Sequence, residues 1–248
     1  MRVAYRLRFR LTKAIHVFPK QDLSVQISEI FQSIQGEGPY AGTESVFVRT
    51  SGCNLRCWFC DTPYTSWKPE GTDRSVGDVF DEVQAIDIEH VVLTGGEPML
   101  LAECQQLTSA LSEQGRFITV ETAGTVMLAV QADLMSISPK LSNSTPQGDA
   151  WAARHERTRD NPAAIQQLLS KYNCILKFVV DTPEDLTEIK EWLSRFETSP
   201  DQIWLMPQAR SVEEINAKKD WLLKAATEHG YNYSPRLHIE KFGNVRGT

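Results

Sequence analysis

The sequence predicts an α/β fold, a partial, laterally open TIM-like barrel of about six parallel βα units. Short apolar or β-branched runs recur along the chain and alternate with segments of helical spacing. The 248 residues suffice for one large α/β domain, and about six parallel strands are too few to close a full eight-stranded barrel. We therefore expect an open side that admits a substrate.

The predicted elements follow from local patterns. An early strand alternates apolar and polar residues over 30–34 and runs into a glycine-rich turn. Later strands are predicted at residues 45–49, 89–94, 117–121, 134–138, 174–180, 203–206 and 236–239. Helices are predicted to start where a capping residue precedes an acid by three positions, at Ser75, Thr182 and Ser211. Gly230 is expected to end the helix that begins at Ser211. The helix after Thr182 has one apolar face, formed by Leu186, Ile189, Leu193 and Phe196.

Charge and cysteine content narrow the function classes. The net charge is -6, which argues against wholesale nucleic-acid binding because such domains are usually basic, and favours a small-molecule partner. Five cysteines, three of them in one short motif, favour a reducing compartment over a disulfide framework. No run approaches the roughly 20 apolar residues of a membrane span. We expect a soluble, cytoplasmic protein without a membrane partner.

Residues 1–22 are predicted to be an N-terminal extension of a catalytic domain at residues 23–248. The segment carries several Lys and Arg residues before its first acid, Asp22. A tail, an additional edge strand and a targeting segment are the three interpretations.

A cysteine motif follows the first of the later strands. Cys53, Cys57 and Cys60 stand at Cx3Cx2C spacing. Thiolates bind zinc and iron–sulfur clusters, but a closed zinc site has four protein ligands, and no nearby cysteine or histidine supplies the fourth. In a 4Fe-4S cluster, three cysteines would leave one iron open to a small molecule, whereas an electron carrier normally closes the cluster with a fourth. The motif predicts a catalytic cluster, with a zinc knuckle and an electron carrier as alternatives.

Further polar and glycine residues follow the other predicted parallel strands. They are Gly95 and Gly96, Glu121, Ser138 and Gln208. Because active sites of parallel sheets lie at the carboxyl ends of the strands, we expect these residues and the cysteine motif to share one rim. That shared location favours catalysis over scattered structural roles.

Two motifs together resemble the radical S-adenosylmethionine (SAM) superfamily. They are the cysteine motif with Phe59 before its last cysteine, and Gly95-Gly96-Glu97-Pro98 after an apolar strand. Within that superfamily, the segment EIFQSIQGEG at residues 29–38 resembles the opening motif of the 7-carboxy-7-deazaguanine synthases, enzymes of the branch that leads to queuosine. The similarity covers about residues 25–248 and is weakest at 141–171. It implies a radical SAM core, a 4Fe-4S cluster and SAM.

The resemblance also implies a reaction and partners. A radical made from SAM takes the hydrogen at C6 of 6-carboxy-5,6,7,8-tetrahydropterin, the ring contracts, and ammonia leaves to give 7-carboxy-7-deazaguanine. A flavodoxin- or ferredoxin-type reductant and a homodimer are implied as well. A glycyl-radical activase and a radical SAM enzyme with another substrate are the alternatives, but an activase gives no reason for residues 35–37 with Arg49.

Site residues are carried over from the resemblance. SAM would contact Phe59, Asp61, Gly96, Glu97, Ser138, Pro139, Lys140 and Gln208. The pterin would contact Ile34, Gln35, Gly36, Glu37, Arg49, Thr94, His238 and Thr248. Thr62 would offer its hydroxyl to a Mg²⁺ ion that holds the substrate carboxylate. From the residues alone, Arg49 could equally form a strand-end ion pair, His238 could be a core histidine in a strand, and Thr62 could be a loop cap.

Overall fold

The computed structural model describes residues 23–248, and the predicted extension at residues 1–22 lies outside the described residues. The strands are β1 Ser24–Ile34, β2 Glu44–Thr50, β3 Thr72–Ser75, β4 His90–Gly95, β5 Phe117–Thr122, β6 Leu134–Ile137, β7 Cys174–Val180, β8 Ile203–Pro207 and β9 Asn232–Tyr233. The helices are α1 Pro63–Ser66, α2 Val76–Ala85, α3 Glu103–Glu113, α4 Ala152–Arg159, α5 Pro162–Lys171, α6 Asp185–Leu193, α7 Val212–His229 and α8 Leu237–Phe242.

All the strands of the described residues form one sheet, in the order β3-β1-β2-β4-β5-β6-β7-β8-β9. From β2 through β8 and on to β9, neighbours in this order pair in parallel. β1 is antiparallel to both β2 and β3. The six predicted parallel strands are thus confirmed as β2, β4, β5, β6, β7 and β8. Because β3 and β9 end the order without pairing to each other, the barrel is open.

Two predicted helix starts are confirmed by their caps. The Ser75 hydroxyl accepts a hydrogen bond from the Asp78 N–H at 3.0 Å, and the Ser211 hydroxyl accepts one from the Glu214 N–H at 3.2 Å. These side chains satisfy N–H groups that have no partner within the first turn. Gly230 ends α7 as predicted, with φ of 69° in the left-handed region that favours glycine.

Two predictions of local structure need correction. α6 begins at Asp185, three residues after Thr182, although the Asp185 carboxylate does accept a hydrogen bond from the Thr182 N–H at 3.1 Å. The strand predicted at residues 236–239 is wrong, since these residues lead into helix α8. Here Ile239 is buried against Ala209 and Ile215, so a short helix satisfies the apolar residue without a strand partner.

The main core lies between the sheet and the helices that connect its strands. Buried side chains of the sheet include Val46, Val48, Leu93, Ile118 and Phe178. The helices contribute Val79, Leu107, Leu168, Ile189 and Leu222. The apolar face predicted after Thr182 is confirmed, because Leu186, Leu193 and Phe196 pack against the same core as Ile189. In residues 23–248, no helix is both long and apolar enough to cross a membrane.

Candidate active site

A cavity of about 260 Å³ lies at the carboxyl ends of the parallel strands. The strand ends contribute Gly95, Gly96, Glu121, Thr122, Ser138, Val179 and Met206 to its wall. The turn after β1, the cysteine loop and the C-terminal residues complete it. The structure therefore brings the predicted site residues together at one rim. Glu97 and Pro139 are the two predicted residues that do not line this cavity.

The cysteine loop runs from the end of β2 to α1 and is fixed by hydrogen bonds to backbone carbonyl groups. The Gly52 N–H donates to the Thr65 carbonyl at 2.9 Å. The Arg56 guanidinium donates to the carbonyls of Cys53 at 2.8 Å and Leu55 at 2.7 Å. These bonds hold the loop in a tight turn, and all three cysteines of the motif line the cavity.

The surroundings of the three thiols fit an iron–sulfur cluster. Burial raises the pKa of Cys53 and of Cys57 to about 12, and a bound metal ion would favour the thiolates by supplying positive charge. The Leu55 N–H donates to the Cys53 sulfur at 3.4 Å, and the Ser66 hydroxyl lies 3.2 Å from the Cys60 sulfur. Cys104 and Cys174 lie in the main core. The three cysteines of the motif are thus the ones that line the cavity and could hold a cluster.

Gly95 and Gly96 bring the end of β4 against the cysteine loop. A Cβ on Gly96 would lie 2.1 Å from the Gly52 carbonyl oxygen, and one on Gly95 would lie 2.4 Å from the Thr50 carbonyl oxygen. Gly95 also has φ of 143°. The Gly96 N–H donates to the Thr50 carbonyl at 3.2 Å. Only glycine permits this approach of the two backbones.

Glu97 faces the interior behind the cavity wall. Its carboxylate accepts hydrogen bonds from the Thr122 hydroxyl at 2.7 Å, the Ala123 N–H at 2.8 Å and the Met99 N–H at 3.1 Å. Burial raises the pKa of Glu97. The side chain thus ties the end of β4 to the end of β5.

The remaining predicted SAM contacts come from the ends of β6 and β8 and from the cysteine loop itself. The Lys140 ammonium donates to the Ser138 carbonyl at 2.7 Å and to the Ser138 hydroxyl at 2.6 Å. Gln208 accepts a hydrogen bond from the Lys218 ammonium at 2.8 Å through its side-chain oxygen. Phe59 packs in a small buried cluster with Leu55, Cys57, Val179 and Met206.

A buried ion network forms one wall of the cavity. The Glu37 carboxylate contacts the Lys177 ammonium at 2.5 Å and the Arg236 guanidinium at 3.3 Å. Arg236 also pairs with Asp61, and Lys177 pairs with Glu121 at 3.3 Å. Burial alone would raise the pKa of Asp61, but Arg236 brings it below its ordinary value. Sequence reasoning did not single out Lys177 or Arg236.

Arg49 already has an anionic partner. Its Nε donates to Glu29 at 2.7 Å, and the same carboxylate oxygen accepts the Tyr64 hydroxyl at 2.7 Å. The side chain of Arg49 is 13% exposed and lines the cavity. The ion pair considered from the sequence is therefore present, and it fixes the guanidinium at the cavity wall.

His238 lies on α8, not on a strand, and contacts the turn after β1. A Cβ on Gly36 would lie 2.0 Å from His238 Nδ1, which explains the glycine. The Leu237 N–H donates to the Gly36 carbonyl at 3.0 Å. His238 Nε2 is 4.0 Å from the Glu37 carboxylate, and burial lowers the pKa of His238 although Glu37 opposes this.

The other predicted residues also line the cavity. Ile34, Gln35 and Thr94 lie at strand ends, and Thr248 lies in the C-terminal segment. Thr62 occupies the N-cap position of α1, with its hydroxyl 3.8 Å from the Cys60 sulfur. Thr62 therefore lines the cavity, but its side chain makes no capping hydrogen bond to α1.

Residues 141–171, where the sequence offered no motif, support the cysteine loop from outside. The His155 ring accepts the Arg56 N–H at 3.1 Å through Nδ1, and its Nε2 lies 2.9 Å from the Ser144 hydroxyl. Trp151 lies under the Arg56 guanidinium, 4.1 Å from it to the ring centre. The Trp58 N–H donates to the Ser144 carbonyl at 3.2 Å.

Comparisons with known proteins agree with this geometry. The family model of the radical SAM superfamily matches residues 47–140. A 7-carboxy-7-deazaguanine synthase of Rhodopirellula baltica is 47% identical over 229 residues, which make up 91% of this chain and 89% of that protein. The enzyme of the same name from Halobacterium salinarum is 46% identical over 239 residues, 91% of this chain and 93% of that protein.

A solved structure supports the fold. The crystal structure of QueE from Escherichia coli aligns with a TM-score of 0.64 at 24% identity, over 85% of this chain and 93% of that chain. Because a relative with 47% identity covers about nine-tenths of both sequences, the chain belongs to the 7-carboxy-7-deazaguanine synthase family of radical SAM enzymes.

Proposed function

We propose that this enzyme converts 6-carboxy-5,6,7,8-tetrahydropterin to 7-carboxy-7-deazaguanine with loss of ammonia. Cys53, Cys57 and Cys60 would hold the 4Fe-4S cluster that works with SAM. One observation carries the proposal: the three thiols and a buried set of carboxylates and cations line the same cavity. In this proposal, the radical would form beside the site for a polar heterocycle.

The cluster end of the cavity is lined by the three cysteines and by apolar side chains. When bound, the cluster and SAM supply a radical able to take a hydrogen atom from carbon. Leu55, Phe59, Val179 and Met206 form the apolar surroundings, which exclude water from a reactive species. We propose SAM contacts with Phe59, Asp61, Gly96, Ser138, Lys140 and Gln208, and supporting roles behind the wall for Glu97 and Pro139.

The other end of the cavity offers hydrogen-bonding groups for the pterin. Gln35, Glu37 and Glu121 supply amide and carboxylate groups, which suit the N–H and C=O edge of a flat heterocycle. Arg49, fixed through its Nε, has terminal N–H groups that can pair with both oxygens of the substrate carboxylate. Ile34, Gly36, Thr94, His238 and Thr248 would complete this site.

Additional partners belong to the same proposal. A Mg²⁺ ion on the Thr62 hydroxyl would hold the substrate carboxylate, since this ion binds oxygen and commonly needs one or two protein ligands. A reducing, cytoplasmic compartment is supported by five free cysteines. Family membership is the support for a flavodoxin- or ferredoxin-type electron donor and for a homodimer.

The test uses anaerobically reconstituted protein, reduced and supplied with SAM, Mg²⁺ and the pterin, with products followed by mass spectrometry. We expect 7-carboxy-7-deazaguanine from the wild type and from Cys104→Ala, whose altered cysteine lies in the main core. We expect Cys57→Ala to bind less iron than the wild type and to make no product. Release of 5'-deoxyadenosine without 7-carboxy-7-deazaguanine would refute the proposed substrate. An intact cluster that gives neither product would refute the proposed activity.

A further inference from the structure

Lys177 is a buried lysine that no motif accounts for. It lies in the middle of β7, whose residues are all buried, and its side chain is 3% exposed. An ammonium group in such a place is strongly unfavourable unless anions and hydrogen bonds compensate for the lost water. The residue also lines the cavity, so its partners face the space proposed for the substrate.

Two carboxylates surround this ammonium group. Lys177 Nζ donates to Glu37 Oε2 at 2.5 Å and to Glu121 Oε2 at 3.3 Å. Glu37 lies in the turn after β1, Glu121 lies near the end of β5, and β6 separates β5 from β7 in the sheet. Strand pairing places the backbones of Glu121 and Lys177 two strands apart, and the Lys177 ammonium group joins both carboxylates across that distance.

Other charged groups also face this cluster. Arg236 lies 3.3 Å from Glu37 Oε1 and also pairs with Asp61, while His238 Nε2 lies 4.0 Å from the same Glu37 oxygen. Arg236 is thus shared between two carboxylates. Lys177 is the cation that bonds to Glu121.

Both Lys177 and Glu37 are held in their charged forms. Burial would raise the pKa of Glu37, but Lys177, Arg236 and His238 bring it well below its ordinary value. Burial would lower the pKa of Lys177, yet Glu121 and Glu37 raise it. This matters for recognition, because an ionised carboxylate only accepts hydrogen bonds, whereas a protonated one also donates.

We propose that Lys177 is a positioning residue of the pterin site, an inference that rests on the proposed function. It holds Glu37 and Glu121 side by side so that both accept N–H groups of the substrate's planar amino-pyrimidinone edge. Gln35 holds the same pair, since its Nε2 donates to Glu121 at 3.1 Å and its Oε1 accepts the Glu37 N–H at 3.1 Å. Without the cation, the like charges of the two carboxylates repel each other, and the pair no longer lies side by side as two acceptors.

The first measurement is pterin binding to the Lys177→Met protein. Calorimetry with SAM-loaded but unreduced protein gives the dissociation constant of 6-carboxy-5,6,7,8-tetrahydropterin without turnover. We expect binding to weaken roughly ten- to a hundredfold, as for a buried polar group left unsatisfied, while iron content and SAM affinity stay at the wild-type level. Lys224→Met is the matched control, because that side chain is 76% exposed, and it should bind pterin normally.

The second measurement asks whether Lys177 acts through the carboxylates. Glu121→Gln removes one charge that the ammonium group compensates, so Lys177→Met should weaken pterin binding less in that background than in the wild type. The double variant also keeps the charge balance, so it should fold and bind pterin about as well as Glu121→Gln even if Lys177→Met alone does not fold. A double variant that binds pterin much more weakly than Glu121→Gln would refute the proposal.

The remaining outcomes separate this proposal from the proposed function. Three outcomes would each refute the role of Lys177 alone. Lys177→Met could lower pterin affinity equally in both backgrounds, leave pterin affinity unchanged in the folded protein, or lower SAM affinity in parallel. A loaded wild type that makes no 7-carboxy-7-deazaguanine would instead refute the proposed function, and this role with it.

Discussion

Gly96→Ala tests whether the close approach of β4 to the cysteine loop sets the catalytic geometry. The φ angle of Gly96 is an ordinary one, so the change adds crowding without backbone strain. The added Cβ would lie 2.1 Å from the Gly52 carbonyl oxygen and 2.7 Å from that of Thr65. Both neighbours are backbone atoms, and a normal contact needs a shift of about 0.9 Å or more. The cysteine loop has to move by that amount.

A displacement of about 1 Å in a reacting group costs roughly a hundredfold in rate, equivalent to about 2.7 kcal/mol of barrier. Overpacking of this kind also costs about 1–3 kcal/mol of stability. The assays are product formation by reconstituted protein, iron content and urea unfolding. We expect a loss of about a hundredfold in product formation for Gly96→Ala.

Gly115→Ala is the matched control for this substitution. A Cβ there meets nothing within 4 Å, but the residue has φ of 77°. It should lose about 1 kcal/mol of stability from backbone strain and keep its activity. Wild-type activity in Gly96→Ala would refute the argument, and so would equal loss of activity in the two variants.

Two further predictions concern buried polar groups. Glu97→Gln should lower the free energy of unfolding by about 1–3 kcal/mol, because the NH₂ group of the new side chain would face an N–H or hydroxyl donor. Urea unfolding measures this loss of stability. A variant that is as stable as the wild type but has lost SAM binding would contradict the prediction. Burial lowers the pKa of His90 to about 4, whereas the unfolded chain binds this proton near pH 6.5. The wild type should therefore lose stability as the pH falls from about 6.5 to about 4, by up to about 3 kcal/mol from this group. His90→Gln should remove the part of this pH-dependent loss of stability that comes from His90. Equal pH dependence of stability in the wild type and the variant would contradict the role given to His90.

Much of the framework could be predicted from the sequence because its determinants are local. The apolar runs of the parallel strands are short and separated by helical spacing, which fixes both their type and their order. The cysteines follow the first of these strands, and the residues after the other strands must meet them once the sheet is parallel. The strand prediction for residues 236–239 was wrong because the segment is short. Four residues in which Leu237 and Ile239 alternate with polar residues can form either a strand or the first turn of a helix.

The ion network was not predictable because its members are far apart in the chain. Glu37 and Lys177 are separated by 140 positions, and a single lysine in an apolar strand has no spacing that identifies its partner. A lysine within an apolar strand was nevertheless a signal in the sequence that Lys177 has anionic partners, because a buried ammonium group requires anions. Residues 141–171 gave no motif because their role is packing on the cysteine loop, through contacts such as His155 with Arg56.

The measurement that tests the central claim most directly is product formation with SAM well below the pterin concentration. The resemblance to the 7-carboxy-7-deazaguanine synthases implies that SAM is regenerated in each turnover. We therefore expect the reduced enzyme to make more 7-carboxy-7-deazaguanine than the SAM supplied, without matching release of 5'-deoxyadenosine. Release of 5'-deoxyadenosine with no 7-carboxy-7-deazaguanine would contradict the account, because the cavity would then support SAM cleavage without holding the pterin in the reacting position.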